Sequence, residues 1–273
     1  VVYEKRMGHS ASLLVEALFK YGYRSERSLM LATGLSASHV HYLLRRLQSQ
    51  GVINGFSIYV DPELFNLNKA YVLYPYPPSP PPRLNVSFEV ESIEGYTLFE
   101  VYYVHKDQLM KWIEEISNEI SNKVPQLFFP NRRDPPACEG CIEAASDLLR
   151  GTELGVYNGT SFTDSRLLIK HLPHLIPTWI RIIPLADPLK GRIPVACFVL
   201  KGPMPSSVRR RMVLSLSEGG LNVGFFILDQ GNAGTLISEL RGAGGHIFHV
   251  YSYSVPKITR ESLRGSGKRA APR

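Results

Sequence analysis

The stretch GLSASHVHYLLRRLQSQGVINGF, residues 34–56, decides the fold. Val40, Leu43, Leu44 and Leu47 recur at i, i+3, i+4 and i+7, the spacing of one buried helix face. Ser36 stands where a hydroxyl can accept from a backbone N–H and start that helix. The sequence therefore predicts a helix opening at Ser36, after a turn at Gly34 and an apolar filler at Leu35. Upstream, Leu13, Leu14, Ala17 and Leu18 mark a first helix over 10–21 that ends at Gly22. A second helix is expected after the cap residue Ser25, burying Leu29, Met30 and Ala32. Three short helices followed by the strand that starts near Val52 make a helix-turn-helix DNA-binding domain, residues 1–61.

The face of the third helix opposite its apolar stripe carries chemistry. Ser36, Ser38, His39, His41, Tyr42, Arg45 and Arg46 are the candidate DNA-binding residues. Recognition helices reach base edges with N-terminal residues and hold phosphates farther along. Ser38, His39, His41 and Tyr42 are accordingly assigned to bases or sugars, Arg45 and Arg46 to phosphate or guanine. Adjacent residues on a helix point about 100° apart, so Arg45 and Arg46 cannot serve one site. One of them is left for an intramolecular ion pair. The same face also suits a plain solvated helix; the preceding helix, the glycine turn and the serine cap favour DNA.

Composition sets the frame. A chain of 273 residues with 44% hydrophobic and 20% charged residues is expected to form two or more compact units. It has no apolar run of about 18 residues, so no membrane partner is expected. Residues 1–10 lack the apolar core of a signal peptide, and three cysteines do not make a secreted framework, so a cytoplasmic protein is expected. The net charge is +7, yet the segment 257–273 alone holds six basic residues against one acid. That basic tail reads as disordered, serving solubility or non-specific phosphate contact. Charge alone does not make this a DNA-binding chain.

Cys138-Glu139-Gly140-Cys141 has zinc-ligand spacing, and His171 and His174 follow. The interval exceeds common finger patterns, so zinc, a local disulfide and free thiols all stay open; no metal or other cofactor is assigned. Cys197 lies in an apolar strand and reads as core. No nucleotide-binding glycine loop, nucleophile elbow or paired-histidine motif marks an enzyme.

The segment GLSASHVHYLLRRLQSQGVINGFSIYVDP (34–62) resembles the Lrp/AsnC family of prokaryotic regulators. The GLS opening, the run Arg45-Arg46-Leu47 with Gln50-Gly51, and the strand Val52-Ile53-Asn54-Gly55-Phe56 carry the resemblance. It implies an α+β fold: a helix-turn-helix, a hinge strand, then a ferredoxin-like βαββαβ domain, residues 62–134. Strands fit at 70–75, 86–93 and 96–104, a helix at 106–121, and a last strand at Phe128 and Phe129. Prolines 75, 77, 78, 80, 81 and 82 replace or displace the first helix of that domain. The resemblance further implies double-stranded DNA as partner, homodimerisation and an amino-acid effector. The family's aspartate after the second strand is absent from Gly95-Tyr96-Thr97-Leu98, so no effector residues are carried over. Tetrapyrrole decarboxylases share the architecture, but their histidine- and asparagine-rich segment has no counterpart in 94–105, and no enzyme activity is assigned. A non-DNA-binding assembly or ligand-sensing module is the other alternative.

An internal repeat extends the reading. VDPELFNLNKAYVLYPYPP (60–78) resembles ADPLKGRIPVACFVLKGPMP (186–205), with Asp61-Pro62 facing Asp187-Pro188. Helices at 206–217 and 235–241 and strands at 221–228 and 246–253 fit a second ferredoxin-like domain, residues 189–256. Helices at 141–149 and 163–172 fit a degenerate helix-turn-helix within residues 135–188, with Arg166, Lys170 and His171 as a weaker DNA surface. The tail 257–273 closes the chain.

Overall fold

A computed structural model describes residues 8–23, 25–75, 85–119, 125–134, 138–151, 166–176, 178–191, 193–228 and 233–256. Prolines 77, 78, 80, 81 and 82, and the tail 257–273, lie outside the described residues.

Three helices open the chain, α1 (His9–Tyr21), α2 (Glu26–Thr33) and α3 (Ala37–Ser49). Leu14, Leu18, Leu29, Val40, Leu43, Leu44 and Leu47 meet in their common core. Of the residues expected to bury α2, Leu29 does so, Met30 is half-buried and Ala32 is exposed; on this short helix only one position faces both neighbours. Ser25 and Ser28 form a reciprocal capping box at the start of α2.

The hinge strand β1 (Ile53–Val60) then leads to β2 (Asn68–Pro75), β3 (Val86–Ser92), β4 (Tyr96–Tyr103), α4 (Lys106–Glu119) and β5 (Gln126–Phe128). Pro75 is the last residue of β2. Phe129 falls beyond β5, exposed, with Lys106 Nζ 5.1 Å from its ring centroid. The sheet order β5-β2-β4-β3 is the 4-1-3-2 order of a ferredoxin-like unit.

Two helices follow, α5 (Glu139–Gly151) and α6 (Arg166–Leu175), then a second hinge strand β6 (Ile180–Ala186) and a short α7 (Pro188–Gly191). The last unit contains β7 (Val195–Lys201), α8 (Ser206–Arg211), β8 (Met212–Ser217), β9 (Leu221–Ile227), α9 (Ala233–Gly242) and β10 (His246–Ser254). Its order, β10-β7-β9-β8, is again 4-1-3-2. The helix expected over 206–217 is corrected: only its first half is helical, and Met212–Ser217 forms β8.

The units join in two places. β1 and β6 pair antiparallel, with Val60 opposite Ile180. β10 divides its length, pairing through 246–249 with β7 and through 250–254 with β3, so both units share one eight-stranded sheet. Phe88 of the first unit stacks on Tyr253 of the second at 6.0 Å and lies 5.7 Å from Phe225. The central core gathers these rings with the helix-turn-helix and both hinge strands, while α4 covers the other face of the first unit and α8 and α9 that of the second. No described helix is long and apolar enough to cross a membrane.

Candidate nucleic-acid interface

α3 has one side buried and the other bare. Ser36 caps it: its Oγ accepts from the His39 backbone N–H at 3.4 Å and lies 3.3 Å from Ser38 Oγ. Ser36 thus works on the helix itself as its cap. The other six candidates are all exposed. At about 100° per residue they fall into three directions. Ser38, Tyr42 and Arg45, spaced i, i+4 and i+7, point directly away from the Val40–Leu43–Leu44–Leu47 stripe. His41 lies on the flank toward α2, where its Nδ1 sits 2.9 Å from Glu26 Oε1. His39 and Arg46 lie on the opposite flank.

That second flank borders a groove of about 730 Å³, shared with His9 and Ser10 of α1 and with Lys190 of α7. Tyr42 lies at its edge and is 59% exposed. Arg45 does not line the groove, so the two arginines diverge as their adjacency requires. Among the described residues neither takes part in an ion pair, contrary to the partner expected for one of them. Lys190 was not singled out in the sequence. It arrives from the second half, and the Asp187-Pro188 repeat was the signal that places its turn beside the hinge.

The helix pair α5–α6 stands before β6 as α1–α3 stand before β1. The residue preceding each hinge strand donates its N–H to the last apolar residue of the preceding helix, Val52 to Leu47 at 2.9 Å and Trp179 to Leu175 at 2.7 Å. Counting back from these leucines places His171 where α3 has Leu43, a core position. His171 is buried, which corrects its assignment to a second DNA surface. Lys170 is exposed; the side chain of Arg166 and residue Thr163 lie outside the described residues.

His171 faces the cysteines instead. Its Nδ1 lies 3.3 Å from Cys138 Sγ and 3.4 Å from Cys141 Sγ, and His174 Nδ1 lies 3.6 Å from Cys141 Sγ. Burial and the neighbouring Cys138 thiol push Cys141 up to about 11. Cys197 is buried in β7, as its apolar strand required.

A further cavity of about 380 Å³ lies between the end of α1, β6 and β8. Lys20, Arg133, Arg181 and Glu218 are its charged residues.

No protein-family model matches the chain, and no curated protein matches it significantly. Solved structures do. A transcriptional regulatory protein of the ASNC family from Pyrococcus furiosus aligns at 22% identity over 45% of this chain and 88% of its own, with a TM-score of 0.32. The leucine response regulatory protein LrpA of Mycobacterium tuberculosis aligns at 21% identity over 48% of this chain and 99% of its own, with a TM-score of 0.31. The siroheme decarboxylase NirDL aligns at 9% identity over 94% of this chain and 97% of its own, with a TM-score of 0.43. Helix-turn-helix, hinge strand and 4-1-3-2 unit follow one another in the order the sequence resemblance implied. In this chain the helical segment and the ferredoxin-like unit each have a second counterpart, and only the first helical segment presents a complete set of three helices among the described residues.

Proposed function

We propose that this chain is a sequence-specific transcription regulator that reads the major groove of double-stranded DNA with α3. The observation that carries the reading is the outward stripe Ser38–Tyr42–Arg45 on a capped helix whose other side is fixed in a core. Ser38, nearest the N-terminus, and Tyr42 suit base edges; Arg45 suits guanine or phosphate. Arg46 and Lys190 border the groove along the flank beside His39 and His9, and suit the phosphate backbone. His41, tied to Glu26, orients α3 on α2.

With one complete reader among the described residues, the bound site is an asymmetric half-site, and a palindrome needs a homodimer of two chains. The regulator acts in the cytoplasm. Its effector is a small carboxylate such as an amino acid, bound in the cavity that Lys20, Arg133 and Arg181 line.

Selection of bound fragments from genomic DNA tests the reading, performed with the wild type, Tyr42→Ala and Arg45→Ala. Both variants are expected to lose the selected sequence pattern. Full affinity and an unchanged pattern in both would remove α3 from the reader role. A stoichiometric absorbance change on titration with a tetrapyrrole, together with no DNA selected by the wild type, would replace the regulator by an enzyme of this architecture.

A further inference from the structure

Four N/S ligand atoms converge between α5 and α6. Cys138 precedes α5, and the Cys141 N–H bonds back to the Cys138 carbonyl at 3.0 Å, which folds the two sulfurs onto one side of the first turn. His171 and His174 are one turn apart on α6, on the face that meets them. The four ligand atoms all lie within 4.8 Å of one another. A tetrahedral zinc ion with bonds of about 2.3 Å to sulfur and 2.0–2.1 Å to nitrogen has sulfur–nitrogen edges of about 3.5 Å. Three of the four sulfur–nitrogen distances here are 3.3, 3.4 and 3.6 Å.

Hydrogen bonding alone does not account for the cluster. An imidazole Nδ1 has one hydrogen or one lone pair, yet His171 Nδ1 is within 3.4 Å of both sulfurs. A cation at the centre satisfies all four groups together. The backbone is shaped for it as well. A Cβ on Gly140, between the two cysteines, would stand 2.6 Å from His171 Nε2 and 2.7 Å from its Cε1, so the imidazole is seated where only glycine leaves room.

The surroundings give the ion a task. α5 offers α6 small side chains, Ala144 and Ala145, with Leu148 and Leu175 beside them. The two helices are separated by 14 residues of sequence, and a crosslink between them closes that interval. In α3 the corresponding position is Leu43, which packs in a full three-helix core.

We propose that Cys138, Cys141, His171 and His174 hold one structural Zn²⁺ that pins α6 to the start of α5. Four protein ligands leave no open position for a reacting water, which makes the site structural. Cys141, His171 and the neighbouring apolar cluster are buried, while His174 is exposed and gives the ion its way in. The assignment is independent of DNA binding.

Metal content of the full chain, purified under reductant from zinc-supplemented culture, tests it. About one equivalent of zinc per chain is expected. After chelation, titration with Co²⁺ alone is expected to give the visible bands of a tetrahedral thiolate–imidazole site. Gly140→Ala displaces His171 and should weaken the metal by about 10- to 100-fold. The double variant Cys138→Ser/Cys141→Ser should abolish both zinc and the cobalt spectrum. A folded wild type with no zinc and no cobalt spectrum overturns the proposal. So does a cobalt spectrum unchanged in the double variant, which would put the metal elsewhere.

Discussion

Asp61 and Asp187 close the paired hinge strands from opposite ends. The Asp61 N–H donates to the carbonyl of Trp179, just before β6, and the Asp187 N–H donates to the carbonyl of Val52, just before β1, both at 2.8 Å. Each aspartate precedes a proline, and each side chain caps the turn that follows, Asp61 accepting from Glu63 N–H and Asp187 from Leu189 and Lys190 N–H. The backbone roles match while the side-chain surroundings diverge. Asp61 is fully buried against Lys69 Nζ at 2.8 Å and against the Arg133 guanidinium, whereas Asp187 is partly exposed beside Lys190.

The divergence sets unequal costs for the same substitution. Asp61→Ala leaves Lys69 buried and stripped of its closest counter-charge, because Glu63 Oε2 is 3.7 Å away, and is expected to cost about 3–5 kcal/mol. Asp187→Ala removes a turn cap and a surface pair and is expected to cost about 1 kcal/mol. Urea unfolding of the two variants checks this. Equal losses would mean that the buried cluster adds nothing to the hinge.

On α3 the outward stripe and the flank toward α2 predict different phenotypes. Tyr42→Ala is expected to weaken specific DNA binding by about 1–3 kcal/mol and to relax the sequence preference. Arg45→Ala is expected to weaken it as much and, where the guanidinium holds phosphate, to lower the salt slope by about 1. His41→Ala acts only through the Glu26 contact, so a loss of binding below half that of Tyr42→Ala is expected, without altered preference. Binding isotherms at several salt concentrations on a selected site separate these outcomes.

Much of this face was legible because α3 states its own geometry: the i, i+3, i+4, i+7 leucine and valine stripe fixes which residues point outward. The sequence did not show that His41 meets Glu26 or that Ser36 is occupied as a cap, since both depend on a neighbour's position. β8 was hidden for another reason. Its pairing with β9 shifts register between Met212 and Leu214 and again between Ser215 and Ser217, which breaks the alternation that betrays a strand. The arginine run before it then reads as helix. The Cys/His cluster was half legible: both spacings were visible, but only the fold brings residues 138–141 against 171–174.

The seam between the two units has a pH-sensitive clasp. Glu94, in the β3–β4 turn, accepts from the His249 backbone N–H of β10, and its Oε1 lies 2.6 Å from His249 Nδ1. Burial pushes the Glu94 carboxyl up, but the hydrogen bonds from His249 outweigh it, leaving the pKa below the ordinary 4.5. A carboxyl with a depressed folded pKa binds fewer protons when native. Its stabilisation is full above 4.5 and is lost as pH falls through the folded value. Glu63 and Glu89 are raised by burial and act in the window above 4.5 with the opposite sign. Glu94→Gln is therefore expected to flatten the loss of stability below 4.5 and leave the window above it unchanged, as read by urea unfolding across that pH range.

Two glycines of the helix-turn-helix separate strain from collision. Gly34 has φ +71° and Gly22 φ +68°, both in the region that side chains avoid. A Cβ on Gly34 would meet nothing within 4 Å, so Gly34→Ala is expected to cost the backbone strain alone, about 1–2 kcal/mol. A Cβ on Gly22 would stand 2.7 Å from the carbonyl oxygen of Ile182 and 3.2 Å from its Cβ. That oxygen belongs to β6, held in register by β1, and cannot yield without opening the hinge. Gly22→Ala is therefore expected to cost about 2–4 kcal/mol in thermal or urea unfolding. It should also weaken DNA binding, because α1 carries α3 against the second half's hinge strand. If the two substitutions cost the same, the close approach of α1 to β6 does not hold the reader in place.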